Sequence, residues 1–244
     1  MSLFDLTGKT AVITGSSRGI GKSIAEQMAE QGARVVISSR KPGPCQDVAD
    51  ALNAKHGDGT AIAIPANISS KDDLKNLTEK TRAEFGQIDI LVNNAGVMGG
   101  VSPEDTTPEQ FDRLVAVNAR APFFILQRAT TNLNDGARVI NISSGLTRVA
   151  NPQEVAYAMT KGAVEQLTMH MAKHLAPRGI TVNSVAPGIT RNGNPVFGMP
   201  EVVEQMASLS AFNRVGEPDD IADAVAFLAS DDARWITGST LDAS

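Results

Sequence analysis

The sequence predicts an α/β fold, one doubly wound parallel sheet with helices on both faces. Two features predict it. Short runs rich in Val and Ile alternate with longer segments of helical period, and the runs are apolar almost throughout. Strands covered on both faces of a parallel sheet have that character, whereas half-exposed strands alternate. The first run also leads through a glycine-rich turn into a helix.

The strand runs are TAVIT (10–14), RVVIS (34–38), AIAIP (61–65), IDILV (88–92), ARVINIS (137–143) and ITVNSVA (180–186). Between them, helical period predicts helices near 19–31, 44–56, 70–85, 108–132 and 154–176. In TTPEQF, Thr107 is a cap, Pro108 takes the first helical position and Gln110 reaches back. Asp72-Asp73 and Asp219-Asp220 suit helix first turns, where the dipole favours anions. The least regular stretch, PGITRNGNPVFGMP (187–200), reads as a functional loop. Nothing divides the chain, so residues 1–244 are expected to form one domain, with a functional loop at about 187–210.

Acidic residues (27) outnumber basic ones (22), for a net charge of -5. That balance argues against nucleic acid or an anionic membrane as partner. No apolar run approaches the roughly 18 residues of a membrane span. No signal peptide is visible and Cys45 is the only cysteine, so a cytoplasmic protein is expected.

Gly15, Gly19 and Gly21 fall at the turn from the first strand into the first helix. Glycines there let the backbone approach a pyrophosphate, which the helix N-terminus attracts. The spacing is G-x-x-x-G-x-G rather than G-x-G-x-x-G, and a plain tight turn is the competing reading. The second strand ends in Ser39 and Arg40, without the acid that would hold the ribose hydroxyl of NAD. With Arg18, this suits the 2′-phosphate of NADP; ordinary solvated surface charges are the alternative.

The only tyrosine, Tyr157, stands four residues before Lys161, so both project from one helical face. A neighbouring cation favours the phenolate and lowers the phenol's pKa, which suits general acid–base catalysis. Ser144, ending VINISS, supplies a hydroxyl for the same carbonyl oxygen, and Asn118 is placed to hold a water near Lys161. Alone, Y-x-x-x-K fits a core tyrosine beside a snorkelling lysine better than a catalytic pair.

In combination the motifs say more. Thr14-Gly15-x-x-x-Gly19-x-Gly21, Asn93-Asn94-Ala95-Gly96, Asn118, Ser144, Tyr157-x-x-x-Lys161 and Pro187-Gly188 follow one another in that order. Over nearly the whole chain, from Gly8 to Leu241, it resembles the NADP-preferring short-chain dehydrogenase/reductase family. The resemblance implies a Rossmann-type sheet of about seven strands and a tetrad of Asn118, Ser144, Tyr157 and Lys161. Ser144, not Ser143, has the family's spacing. Tyr157 would protonate the carbonyl oxygen, Ser144 polarise it, Lys161 lower the tyrosine pKa and hold the ribose, and Asn118 anchor a relay water. The cofactor residues implied are Gly15, Ser17, Arg18, Gly19, Ile20, Gly21, Ser39, Arg40, Asn67, Ile68, Asn94, Ala95, Gly96, Tyr157, Lys161, Pro187, Gly188, Ile189 and Thr190. Asn67 replaces the family's usual aspartate, and its side-chain carbonyl still accepts a hydrogen bond from the adenine amine. The resemblance also implies a homotetramer built on the helices near 108–132 and 154–176.

The substrate pocket is expected from 97–101, 145–153 and 189–206, with Ser144, Leu146, Val149, Val155, Ile189, Val196, Phe197 and Met199 in its walls. Apolar walls with few polar points suit a neutral, moderately hydrophobic ketone or secondary alcohol. Arg148 and Arg191 fit solvated rim charges better than carboxylate binders. A 3-oxoacyl-[acyl-carrier-protein] reductase ranks second, because TTNLNDG lacks a basic cluster for an acidic carrier, leaving Lys173 and Arg178. A non-catalytic dinucleotide sensor is the alternative of another class. His170 and His174 share a helix face but have no third ligand, so no metal is expected. Trp235 is expected to pack.

Overall fold

The computed structural model describes residues 4–244. Seven strands, β1 (Thr10–Thr14), β2 (Arg34–Ser38), β3 (Ala61–Ala63), β4 (Ile90–Asn93), β5 (Arg138–Ile142), β6 (Thr181–Pro187) and β7 (Thr240–Ala243), form one sheet in the order β3-β2-β1-β4-β5-β6-β7. Every pair is parallel. Strand side chains alternate between two cores. Ala11, Ile13, Val35, Ile37, Ile90 and Ile140 face the core shared with α1 (Gly19–Glu30), α2 (Pro42–His56) and α8 (Pro218–Ala229). Val12, Val36, Leu91, Val139 and Val182 face the core shared with α3 (Lys71–Phe85), α5 (Ala121–Ala129) and α6 (Val155–Leu175). This two-sided burial is why the strand sequences carry no polar alternation. Each fully buried Ile or Leu contributes on the order of 1.5–3 kcal/mol.

The expected helix over 108–132 is interrupted. α4 (Pro108–Val115) passes into a π-type turn at Ala116–Arg120 before α5. Pro122 has no N–H for the carbonyl of Asn118, four residues back. The ladder slips by one, and the Ala121 N–H donates to the Ala116 carbonyl. β3 ends two residues earlier than its apolar run, before Pro65, which has no ladder donor. The stretch after β6 holds a 3₁₀ turn at Pro195–Gly198, and then α7 (Pro200–Ala207). Pro195 and Pro200 start helical turns, a role the loop reading overlooked.

Trp235 does not pack: it is 96% exposed. Cys45 is buried in the first turns of α2, its sulfur 3.0 Å from the Ser39 hydroxyl. His170 and His174 are exposed on α6. Among the described residues, no three His, Cys, Asp or Glu side chains gather as a metal site, and no helix is long and apolar enough to cross a membrane.

The capping box at α4 is present as read. Thr107 Oγ1 accepts from the Gln110 N–H, and Gln110 Oε1 accepts from the Thr107 N–H at 2.9 Å. Thr107→Ala removes one of these bonds and should cost about 1 kcal/mol. For a chain of this size, that is a fall of roughly 2–4 °C in melting temperature by calorimetry.

Candidate active site

The site forms at the carboxyl ends of β1, β4 and β5. Between β1 and β4 the strand order reverses, which opens a crevice where α/β sheets bind ligands. Thr14, at the end of β1, bridges the two strands. Its hydroxyl donates to the Val92 carbonyl at 3.2 Å and accepts from the N–H groups of Asn94 and Ala95 at 3.1 Å. The Asn94 amide donates in turn to the carbonyls of Thr14 (2.9 Å) and Gly15 (3.2 Å). This staple fixes the glycine turn. Gly15 has φ +69°, a conformation favouring glycine. A Cβ on Gly21 would lie 2.4 Å from both the Gly15 carbonyl oxygen and Asn94 Nδ2, so only glycine fits there.

Arg18 is exposed at the start of α1, and Arg40 is exposed just after β2. Neither side chain has a hydrogen-bond or ion-pair partner among the described residues, unlike Arg148 and Arg191. Those two pair with Glu165 (3.2 Å) and Glu217 (2.8 Å), as rim charges rather than free anion binders. Ser17, Gly19 and Ile20 are partly exposed along the turn. Ser39 is half-buried against Cys45. Asn67 is exposed after β3, with its Oδ1 accepting from the Ser69 N–H at 3.2 Å, and Ile68 is buried beside it. Pro187 ends β6, and Gly188, Ile189 and Thr190 continue from it at the same sheet edge.

Ser144 and Tyr157 come together. Ser144 follows β5, is buried, and lies near enough to Tyr157 for its hydroxyl to lower the phenol's pKa. Its neighbour Ser143 is committed elsewhere, donating to Glu165 at 2.8 Å. Lys161 lies beneath the tyrosine, its Nζ 5.7 Å from the ring centroid and donating to the Ile142 carbonyl at 2.8 Å. Gly96 closes over this group: a Cβ there would sit 3.3 Å from Asn118 Oδ1 and 3.5 Å from Lys161 Nζ.

Asn118 sits in the π-turn, buried. Its side chain is fully used within the protein. Oδ1 accepts from the Val97 N–H at 2.8 Å, and Nδ2 donates to the Val97 carbonyl (2.7 Å) and Thr160 Oγ1 (3.2 Å). It therefore pins the loop after β4 against α6. Pro122 cannot supply the usual α-helical N–H to the Asn118 backbone carbonyl.

The electrostatics differ from the sequence expectation. The Tyr157 phenol is pushed up, not down. Burial is the main cause, the Ser144 hydroxyl pulls it back, and the Glu154 carboxylate raises it further. Burial also lowers Lys161 to about 8. Both shifts have one origin, since a dry site disfavours either charged form.

A cavity of about 170 Å³ opens beside Tyr157, between the loop after β4, α4 and the start of α6. Of the expected walls, Val97, Met98, Gly99, Val101 and Gln153 line it. Ser144, Leu146, Val149, Val155, Ile189, Val196, Phe197 and Met199 do not; Val149, Val155, Ile189 and Met199 are exposed. Thr106, Gln110, Arg113, Leu114 and Glu154 line it and were missed. Two spacings carried the signal: Gln110, Arg113 and Leu114 share a helical face, and Glu154 precedes Tyr157 by three.

Fold and site together define a dinucleotide-dependent oxidoreductase acting on carbonyl groups. The family model described as enoyl-(acyl carrier protein) reductase matches residues 15–243. The promiscuous reductase LugOII, which catalyses keto-reduction at C1 during lugdunomycin biosynthesis, is 53% identical. Its TM-score is 0.92, over 98% of this chain and 97% of its own. The angucycline C-6 ketoreductase LanV, solved with bound NADP, is 51% identical with a TM-score of 0.93, over 98% and 95%. An oxidoreductase of Methylorubrum extorquens is 41% identical over 98% of this chain and 97% of its own length. The chain belongs to the short-chain dehydrogenase/reductase family.

Lys161 gives a pH signature. Its folded value lies below the ordinary 10.5, so between about 8 and 10.5 the unfolded chain binds more protons. The stability of the folded state through this group is therefore lowest below pH 8 and rises across that window. Lys161→Met removes the dependence. Measured by urea unfolding, its stability relative to wild type should fall by about 3 kcal/mol from pH 7 to pH 10.5.

Proposed function

We propose that the chain is an NADPH-dependent ketoreductase, interconverting a ketone and a secondary alcohol with Tyr157 as general acid and base. The observation that carries this reading is the Ser144–Tyr157 contact above the buried ammonium of Lys161.

The residues present fit the dinucleotide. The cradle at Gly15 and Gly21 excludes side chains, and the N-terminus of α1 faces it with unpaired N–H groups. Ser17, Gly19 and Ile20 would hold the pyrophosphate, Arg18, Ser39 and Arg40 the 2′-phosphate, and Asn67 and Ile68 the adenine. Asn94, Ala95, Gly96, Tyr157, Lys161 and Pro187 to Thr190 would hold the nicotinamide half. The two unpaired arginines support NADP over NAD, as does the NADP bound to LanV.

When bound, NADPH supplies the hydride. This chain supplies the proton and the alignment. The Ser144 hydroxyl donates to the substrate carbonyl oxygen and sets its position. Tyr157 gives its phenolic proton to that oxygen as charge develops there. Because burial keeps the phenol protonated, it enters the reaction as the acid. Lys161, close to the ring, stabilises the phenolate left behind until a proton returns along the Lys161–Asn118 side of the site. Positioned acid catalysis of this kind contributes about 10²–10⁴-fold.

The keto-reduction by LugOII and the angucycline substrate of LanV support a cyclic or aryl ketone as substrate. The description of the matching family model favours a second reading, reduction of a carrier-bound acyl thioester. The surface opposes it. Arg178, one of the two cations available for an acidic carrier, is tied to Asp135 at 2.7 Å and to the carbonyls of Thr130 and Leu133. Exposed Phe123 on α5 and Met159 and Met169 on α6 support a homotetramer across these helices; light scattering should then give four times the 25.6 kDa chain mass.

Initial rates on cyclic ketones, aryl ketones and a 3-oxoacyl thioester test the proposal. Wild type should oxidise NADPH in preference to NADH with the ketones. Tyr157→Phe should keep NADPH affinity, by fluorescence titration, and lose at least about 10²-fold in kcat. Unchanged turnover in Tyr157→Phe overturns the mechanism; activity confined to the thioester overturns the substrate class.

A further inference from the structure

Glu154 stands three residues before Tyr157, at the turn that opens α6, with 8% of its surface exposed. It lines the cavity beside Tyr157. Neither carboxylate oxygen has a hydrogen-bond partner among the described residues, and Oε2 is wholly shielded. Two glycines stand against it and bring no side-chain donor. A Cβ on Gly99 would sit 3.4 Å from Oε2, and one on Gly100 would sit 3.7 Å from Oε1. Arg113 lines the same cavity but makes no ion pair with it.

An ionised carboxylate only accepts hydrogen bonds. Buried without a partner, it carries an uncompensated desolvation cost, and a donor arriving from outside recovers the most from it. The cavity has the room. An apolar cavity of roughly 150 Å³ takes a benzene ring, and this one measures about 170 Å³. Val97, Val101 and Leu114 supply apolar wall. A second cation is disfavoured beside Arg113, whereas a neutral hydroxyl brings a donor without a charge.

We infer that Glu154 is the acceptor in a substrate subsite, selecting ketones that carry a hydroxylated ring in this cavity while the carbonyl faces Tyr157. The inference rests on the ketoreductase reading and narrows its substrate class to phenol-bearing ketones. The phenolic O–H donates to the carboxylate, a charge-assisted bond. Sites built to bond a substrate hydroxyl reject analogues lacking it far more strongly than apolar pockets reject a missing methylene. A methoxy group has nearly the same bulk but nothing to donate.

The test uses 5-, 6- and 7-hydroxy-1-tetralone and their methoxy counterparts, titrated by calorimetry into the NADP⁺-loaded protein, with kcat/KM measured in parallel with NADPH. The 8-hydroxy isomer is left out because its hydroxyl bonds its own carbonyl. At least one hydroxy isomer should bind tenfold or more tightly than its methoxy counterpart. In Glu154→Gln that ratio should fall to within about twofold, because a glutamine amide can donate to the methoxy oxygen. NADPH affinity reports that the variant is folded. Should Glu154→Gln not fold, Glu154→Asp replaces it, and the shorter carboxylate should lose most of the preference. Equal binding of every hydroxy and methoxy pair by wild type, or a preference that survives removal of the carboxylate, overturns the inference. Selective binding without reduction overturns the ketoreductase reading and leaves the subsite standing; reduction without selectivity does the reverse.

Discussion

The hydroxyl of Thr14 holds the molecule's two halves in register. It takes two backbone N–H groups from the chain leaving β4 and gives its own proton to the Val92 carbonyl. Those groups stand at the one place where the strand order turns back on itself, so no neighbouring ladder can satisfy them. Without this bridge the glycine turn would lose its fixed height above the sheet, and Asn94 would lose the geometry that lets it bond the Thr14 and Gly15 carbonyls. The glycine turn after β1 and the chain leaving β4 hang from opposite sides of the same contact.

The wall that carries Tyr157 has a polar spine of its own. Asn93 donates to Asn141 at 2.8 Å, and Asn141 donates to Thr168 at 2.8 Å, joining β4, β5 and α6 deep in the interior. Such a chain is favourable only when its members align, because a displaced amide would be stranded without water. It therefore specifies the seating of α6, the helix that carries both Tyr157 and Lys161. Burial then sets the charge state of that pair, favouring an uncharged phenol and easing the proton off the ammonium. The loop after β4 is seated by Asn118, so three asparagines on two strands and one π-turn frame Tyr157 and Lys161.

Much of this was legible from residue order. Doubly buried strands lack alternation, so runs such as TAVIT and RVVIS mark themselves, and the Thr107 cap is written in four residues. Ser144, Tyr157 and Lys161 were visible because spacing on one helix and one strand end fixes proximity. What spacing does not encode is how deep a group lies. The direction of the tyrosine's shift depends on burial created by distant segments, and was misread. Trp235 was misread for the same reason, since its exposure depends on what lies beside it in space. The α4 side of the cavity was not legible because its contact with α6 is a tertiary event. Arg178 looked like a free cation until Asp135 and two carbonyls were found around it.

The π-type turn at Ala116–Arg120 has a consequence for angular phase. An α-helix advances about 100° per residue. A π-turn absorbs one residue more, so everything beyond it is rotated by about that angle relative to an unbroken helix. Gln110, Arg113 and Leu114 can thus point toward the cavity while Ile125, Leu126 and Ala129 point into the sheet core, along what reads in sequence as one continuous helix. In a chain one residue shorter across 116–120 the two stripes would share a single bearing, and either the core or the site would face the wrong way.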